Sequence, residues 1–250
     1  MDRQEAMLRE LNLYPQWTLR APVEQAAAAE PSVVLAPVAK PAATVQPQET
    51  TLKNIVLPMA DVSFIPANTW PELKQQVRDC ERCGLRAGCT QTVFGVGDEK
   101  ADWLFVGEGP GADEDALGEP FVGQAGKLLD NMLAAIKLAR GKQVYIANII
   151  KCHPPNNRNP TAAETAQCLP YLQRQIELIQ PKLIVALGRV AATNLLGEDA
   201  PLASLRGTLH DYRGIPLVVT YHPAYLLRSP SEKVKAWQDL CFALDVMGEA

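Results

Sequence analysis

Six cysteines and three histidines are the scarce, reactive residues of this 250-residue chain, and several are spaced for chemistry. Cys80-x-x-Cys83 is followed far downstream by Cys152 and then by Cys168. Two ligands from a CxxC turn and two from distant segments make a four-thiolate site. Such a site suits zinc or an iron–sulfur cluster, and spacing alone does not choose the metal. Cys89 lies close enough to Cys83 to compete as a ligand, and Cys241, beside Leu240 and Leu244, reads as a small buried hydrophobe.

A second constellation is Gly107-Glu-Gly-Pro-Gly-Ala-Asp-Glu-Asp115, continuing to Pro120-Phe-Val-Gly123. Gly107-x-Gly109-x-x-Ala112 satisfies a loose dinucleotide fingerprint, but Pro110 removes an amide that a phosphate would want, and Asp113, Glu114 and Asp115 would repel a pyrophosphate. A loop of little bulk with one carboxylate, Glu108, and one aromatic, Phe121, better suits a flat uncharged ring such as a nucleobase. An ordinary glycine-rich turn with solvated acids fits the spacing equally well. The third constellation is Tyr221-His-Pro-Ala-Tyr-Leu-Leu-Arg228, in which His222 stands beside a proline-stiffened turn and an arginine; a structural histidine is the plainer alternative. Between Ala203 and Gln238, Arg206, Arg213, Arg228, Lys233 and Lys235 outnumber Asp211 and Glu232, a local excess of basic charge suited to phosphate contact.

These residues need a frame. Thr69 and Glu72 form a capping box for a helix running into Cys80. Apolar strands are expected at Trp103-Leu-Phe-Val106, Val144 to Ile150, Leu183 to Leu187 and Ile215 to Thr220. Helices are expected at Gln124 to Leu138, from the Thr161/Glu164 cap to Ile179, at Arg189 to Leu196, and from Ser229-Pro230 onward. The alternation implies an α/β fold with three layers, a mostly parallel central sheet covered by helices on both faces. Ligands bind such sheets at the carboxyl ends of the strands, where Gly107 to Gly111, Asn148 and His222 fall.

Composition narrows the function classes. The chain is 47% hydrophobic and carries a net charge of −4, enough apolar surface for a core and too acidic for bulk coating of nucleic acid. No apolar run is long enough to span a membrane, and the N-terminus lacks a secretory pattern, so cytoplasmic localisation and reduced thiols are expected. All 16 glycines lie at or after Gly84, and 14 of the 30 residues from Ala21 to Thr50 are Ala or Pro. That contrast gives three parts: a short amphipathic peptide over 1–22 (Met7, Leu8, Leu11, Trp17, Leu19), a disordered Ala/Pro linker over 23–66, and a folded domain over 67–250.

The folded domain resembles the family 4, iron–sulfur uracil-DNA glycosylases of bacteria and archaea, and the resemblance makes it the catalytic domain. The likeness rests on Gly107-Glu-Gly-Pro-Gly111, Glu114-Asp115, Gly118-Glu-Pro-Phe-Val-Gly123, Asn148-Ile-Ile-Lys-Cys152, Pro154-Pro155, Asn157-Arg-Asn-Pro160, Gly188 and His222-Pro-Ala-Tyr-Leu-Leu-Arg228, in that order. The resemblance implies a DNA repair hydrolase that flips uracil out of DNA and cleaves its N-glycosidic bond, leaving an abasic site. It implies a 4Fe–4S cluster on Cys80, Cys83, Cys152 and Cys168, structural in role. It implies Phe121 stacking on the base, Asn148 reading its edge, Gly109 and Glu114 lining the pocket with Glu114 crowding C5, and His222 donating towards O2. In family 1 an aspartate occupies the position of Gly109, so Glu108 becomes the group for the water or the sugar cation. Tyr225, Leu226, Leu227 and Arg228 are expected to enter DNA, with Arg228 on phosphate. His153 departs from the family's Arg or Lys and is a surface change or a fifth metal ligand.

Residues 7–20 resemble the psi peptide of the bacterial replicase clamp loader, which docks on the chi subunit, and a nonspecific terminus is the alternative. The expected protein is a monomer associated with the bacterial nucleoid. Competing functions are an altered-substrate or covalently trapping glycosylase, an inactive iron–sulfur nucleic-acid-binding relative, and a dinucleotide-dependent oxidoreductase. Gly123-Gln-Ala-Gly-Lys127 lacks the basic, histidine-containing insertion that the trapping variant carries.

Overall fold

A computed structural model of the chain describes residues 67–248; the expected peptide 1–22 and linker 23–66 lie outside the described residues. Every residue of β2 (Trp103–Gly107), β3 (Val144–Asn148) and β4 (Leu183–Leu187) is buried, and β6 (Ile215–Thr220) is buried over its last four. Continuous apolar strands of this kind require cover on both faces, because successive side chains point to opposite sides. Trp103 and Phe105 accordingly pack with Leu129 and Leu133 of α3 (Gln124–Ala135) and Leu240 of α8 (Lys233–Met247). Leu104 and Val106 pack on the other face with Leu172 and Ile176 of α4 (Ala162–Ile179) and Ala192 of α5 (Arg189–Leu196).

The sheet order is β1-β3-β2-β4-β6-β5, with the inner four strands parallel. Both edges are antiparallel: β1 (Val96–Gly97) on β3 and β5 (His210–Tyr212) on β6. Because β3 and β4 flank β2 on opposite sides, the crossovers diverge at the carboxyl end of β2, where a crevice forms.

Both expected capping boxes are present. Thr69 and Glu72 open α1 (Trp70–Arg78), which stops short of Cys80, and Thr161 Oγ1 accepts from the Glu164 amide at 3.2 Å to open α4. Three further boundaries differ from expectation. Helix α3 ends at Ala135 because Lys137 turns to a left-handed φ of 60°. Strand β3 ends at Asn148, yet Ile149 and Ile150 keep donating, to Gly107 O (2.9 Å) and Glu108 O (3.2 Å), and so stitch the glycine loop to the chain after β3. Ser229 makes no side-chain cap; a 3₁₀ turn over Pro230–Glu232 precedes α8. Short helices α2 (Ala112–Leu117), α6 (Leu202–Leu205) and α7 (Pro223–Arg228) complete the domain. Among the described residues no helix is long and apolar enough to cross a membrane.

Candidate active site

The crevice holds a cavity of about 360 Å³ whose wall includes Glu108, Gly109, Glu114, Phe121, Asn148 and His222, with Tyr225 and Arg228 at one side. A volume of that order accommodates a small ring with room for water. The motifs separated by more than a hundred residues in sequence thus meet in one place.

Backbone fit explains the glycines. A Cβ on Gly107 would stand 2.5 Å from Asn148 Oδ1 and 2.6 Å from Phe121 Cζ, so only glycine lets those two side chains close over the strand end. A Cβ on Gly188 would press on His222 Cβ at 2.9 Å, at a φ of +89° that already favours glycine. Phe121 adopts a left-handed φ of 56°, a conformation that side-chain-bearing residues hold only when their surroundings dictate it. Arg140 supplies that constraint, donating to Pro120 O and Phe121 O, each at 2.8 Å, and Gly126 makes room for the Phe121 carbonyl.

Glu114 is a rivet as well as a wall. Its Oε2 accepts from Gly111 N (3.0 Å), and its Oε1 accepts from Val122 N (2.9 Å) and Gly123 N (3.2 Å), binding the glycine loop to the Phe121 loop. The neighbouring Asp115 is buried rather than solvated. Burial alone would raise its pKa, but the amides of Thr90 and Gln91 outweigh that effect and hold the carboxylate below its usual range. Glu108 has no such amides, and desolvation raises its pKa.

His222 caps α7: its Nδ1 accepts from Ala224 N at 3.1 Å. A nitrogen that accepts an amide proton cannot carry one, so the ring hydrogen sits on Nε2, free to donate. Burial first, and then the Arg228 charge, pull its pKa down to about 4 against a smaller opposing effect of Glu114, so the imidazole is neutral at physiological pH. The ring stacks near Phe121, centroids 5.5 Å apart at 30°. Asn148 is 2% exposed, and its Oδ1 has no hydrogen-bond partner within the protein. A buried orphan acceptor costs about 1–3 kcal/mol, so it awaits a donor from a ligand or water.

The expected DNA-entering segment divides by helical geometry. Tyr225 and Leu227 are exposed and Arg228 borders the cavity, but Leu226 is 1% exposed and packs beneath α7 against α3 and α8. Leu226 therefore cannot enter DNA, a correction that follows from the 100° step between consecutive helix residues. The basic excess is also smaller than charge counting suggested. Arg206 is tied to the buried Asp239 at 2.7 Å and lies over the Tyr221 ring at 4.4 Å, and Lys235 pairs with Glu232. Neither Arg158 nor His153 is loose: Arg158 grips Glu164 in a bidentate pair, and His153 bonds Asn157 Oδ1 at 2.8 Å.

Cys80, Cys83, Cys152 and Cys168 line a second cavity, together with Lys151 and Tyr171. His153 and Cys89 are absent from that wall, and Cys89 sits against Cys152. Cys241 is half-buried on α8, not fully buried as its apolar neighbours implied. Among the described residues no three His, Cys, Asp or Glu side chains converge tightly enough to hold a single metal ion. Four thiols line one hollow, and thiolate sulfur is the donor that iron–sulfur clusters require. Burial pushes the Cys168 thiol up to about 11 and the Cys152 thiol higher still, so ionisation here depends on a positive partner. Lys151 and Gln175, which link this cavity to Asn148, escaped sequence reasoning; the only signal was a charged residue at the end of an apolar strand.

Residues 94–241 match the family model described as the Uracil DNA glycosylase superfamily. A type-4 uracil-DNA glycosylase of Archaeoglobus fulgidus is 44% identical over 167 residues, covering 64% of this chain and 83% of that protein. One from Thermotoga maritima is 42% identical over 165 residues, covering 65% of this chain and 85% of its own length. A third, from Pyrobaculum aerophilum, is 40% identical over 177 residues, covering 68% and 90%. Matches of that extent span the whole crevice, from the glycine loop to the His222 turn, and on them the chain belongs to the type-4 uracil-DNA glycosylases of the Uracil DNA glycosylase superfamily.

Proposed function

We propose that this chain excises uracil from DNA by hydrolysing the N-glycosidic bond, and that the crevice at the carboxyl ends of β2, β3 and β6 is where it does so. The observation that carries the assignment of the site is the orphaned Asn148 Oδ1 on the cavity wall. A uracil edge presents an N3–H to that oxygen and an O4 to the amide nitrogen; cytosine would set acceptor against acceptor at N3. Discrimination by a buried polar group left unpaired with the wrong base is strong.

The target nucleotide leaves the stack at a cost of a few kcal/mol, part of which stacking on Phe121 repays. As the C1′–N1 bond breaks, its electron pair moves onto the uracil ring and positive charge builds on the sugar. The neutral His222 donates from Nε2 towards O2, stabilising negative charge that is absent from the bound substrate and builds as the bond breaks. Glu108, the carboxylate in the wall not committed to backbone amides, faces the sugar side, where it orients water or stabilises the cation. Glu114 closes the pocket against a C5 methyl while holding both loops. Tyr225, Leu227 and Arg228, on the solvent side of α7, meet the DNA.

Cys80, Cys83, Cys152 and Cys168 would hold a 4Fe–4S cluster, which when bound supplies a crosslink between the end of α1, the segment after β3 and the middle of α4. The protein acts as a monomer on DNA in the bacterial cytoplasm, and residues 1–22 tether it to the chi subunit through the 23–66 linker, raising its concentration at the fork. Retention of chi by a peptide of residues 1–22 tests that last point. A uracil-containing oligonucleotide tests the assignment itself. Free uracil should be released by the wild type and lost in the Asn148→Ala variant; release by Asn148→Ala at the wild-type rate would remove Asn148 from the site.

A further inference from the structure

Lys151 is 1% exposed and follows, in the segment after β3, the strand that carries Asn148. Its Nζ donates to the Asn148 carbonyl at 2.9 Å and to Gln175 Oε1 at 2.7 Å, and Gln175 in turn donates to Phe94 O at 2.9 Å. Its backbone N–H donates to Cys168 Sγ at 3.2 Å, and the residue lines the cavity of the four cysteines. Among the described residues no carboxylate forms an ion pair with it. A buried ammonium bonded only to neutral oxygens is costly, and proteins rarely keep one without an anion nearby. Around it stand Asn148 of β3, Cys168 and Gln175 of α4 and, next along the chain, Cys152, and of these only the sulfurs can become anionic.

We propose that Lys151 is the internal counter-ion of the iron–sulfur cluster and the strut through which the cluster's position fixes Asn148. The proposal rests on the cluster reading. Four thiolates around a 4Fe–4S core would leave a net negative charge, part of which the ammonium would offset from the protein side. The same ammonium holds the Asn148 carbonyl, so the amide that reads the base is braced against the sulfur cage. Lys151 is a positioning residue: Asn148 lines the cavity at the strand ends, and Lys151 does not.

The test is a redox titration of the anaerobically purified full chain, alongside iron content and steady-state kinetics. Lys151→Met should keep iron but make the reduced, more negative cluster harder to form. The expected shift is at least tenfold in the oxidised-to-reduced ratio at fixed potential, about 59 mV for one electron. It should also raise KM for a uracil-containing oligonucleotide more than it lowers kcat, and Lys151→Arg, which keeps the charge, should return the potential towards wild type. Gln175→Glu places a carboxylate beside Nζ without emptying the site, and covers the case in which Lys151→Met does not fold; its potential should fall likewise. Iron in the protein with an unchanged potential in the variants that fold overturns the counter-ion role and leaves the cluster standing. A wild type without iron overturns the cluster reading, and the proposal with it.

Discussion

Replacing His222 by leucine removes an Nε2–H donor, an α7 cap and a titrating group while keeping bulk beside Phe121. The three losses separate by pH. In the folded chain the imidazole pKa is about 4, against an ordinary 6.5, mainly because the ring is buried. As pH falls below 6.5 the unfolded chain takes up a proton that the folded chain refuses, so stability declines between about pH 6.5 and pH 4 and levels off below. The full gap is worth about 3 kcal/mol, of which about 2 kcal/mol is lost by pH 5. Losing the cap lowers stability at every pH by about 0.5–2 kcal/mol. Urea unfolding of both proteins at pH 8 and pH 5 should therefore show the variant less stable at pH 8 and flatter with pH, by about 2 kcal/mol over that interval. Other carboxylates titrate in this range, but they do so in both proteins and cancel in the difference. Single-turnover uracil release should fall about 10²–10³-fold in the variant, the usual loss for one oxyanion donor. In the wild type, His222 should contribute no titration to that rate between pH 8 and pH 5. Identical pH slopes in the two stabilities would refute the buried neutral ring, and a wild-type rate that decays as pH rises through 6.5 would show an imidazolium at work instead.

Gly107→Ala should lower uracil excision by at least tenfold with the fold retained by circular dichroism, because the new Cβ would displace Asn148 Oδ1 and Phe121 Cζ from 2.5 and 2.6 Å; full activity would mean neither side chain needs its position. Glu108→Gln should slow single-turnover cleavage by about 10²-fold or more while leaving oligonucleotide affinity within twofold, as expected for a group acting on water or the sugar cation; near-normal turnover would remove Glu108 from the mechanism. Arg228→Ala should weaken oligonucleotide binding and reduce the slope of log affinity against log salt by about one, measured by fluorescence anisotropy; an unchanged slope would reject the phosphate contact.

The primary sequence alone determined the layered architecture. Five-residue apolar strands can only be buried on both faces, and Thr69/Glu72 and Thr161/Glu164 mark helix starts by local chemistry that needs no distant partner. It also determined the candidate set, since Gly107, Asn148 and His222 all fall at strand ends, where such sheets bind ligands. The edge strands β1 and β5 were not legible, being two and three residues long and held by a neighbour's hydrogen bonds rather than by their own pattern. Leu226 looked like its neighbours until α7 turned it inward, and Arg206 looked like a phosphate ligand until Asp239, from another helix, claimed it. The protonated nitrogen of His222, the triple duty of the Glu114 carboxylate and the burial of Lys151 were decided only in three dimensions. Each depends on which donor or acceptor arrives from a remote segment, and desolvation, which sets the energy of a charge or an orphaned oxygen, is a property of the packed whole rather than of any stretch of chain.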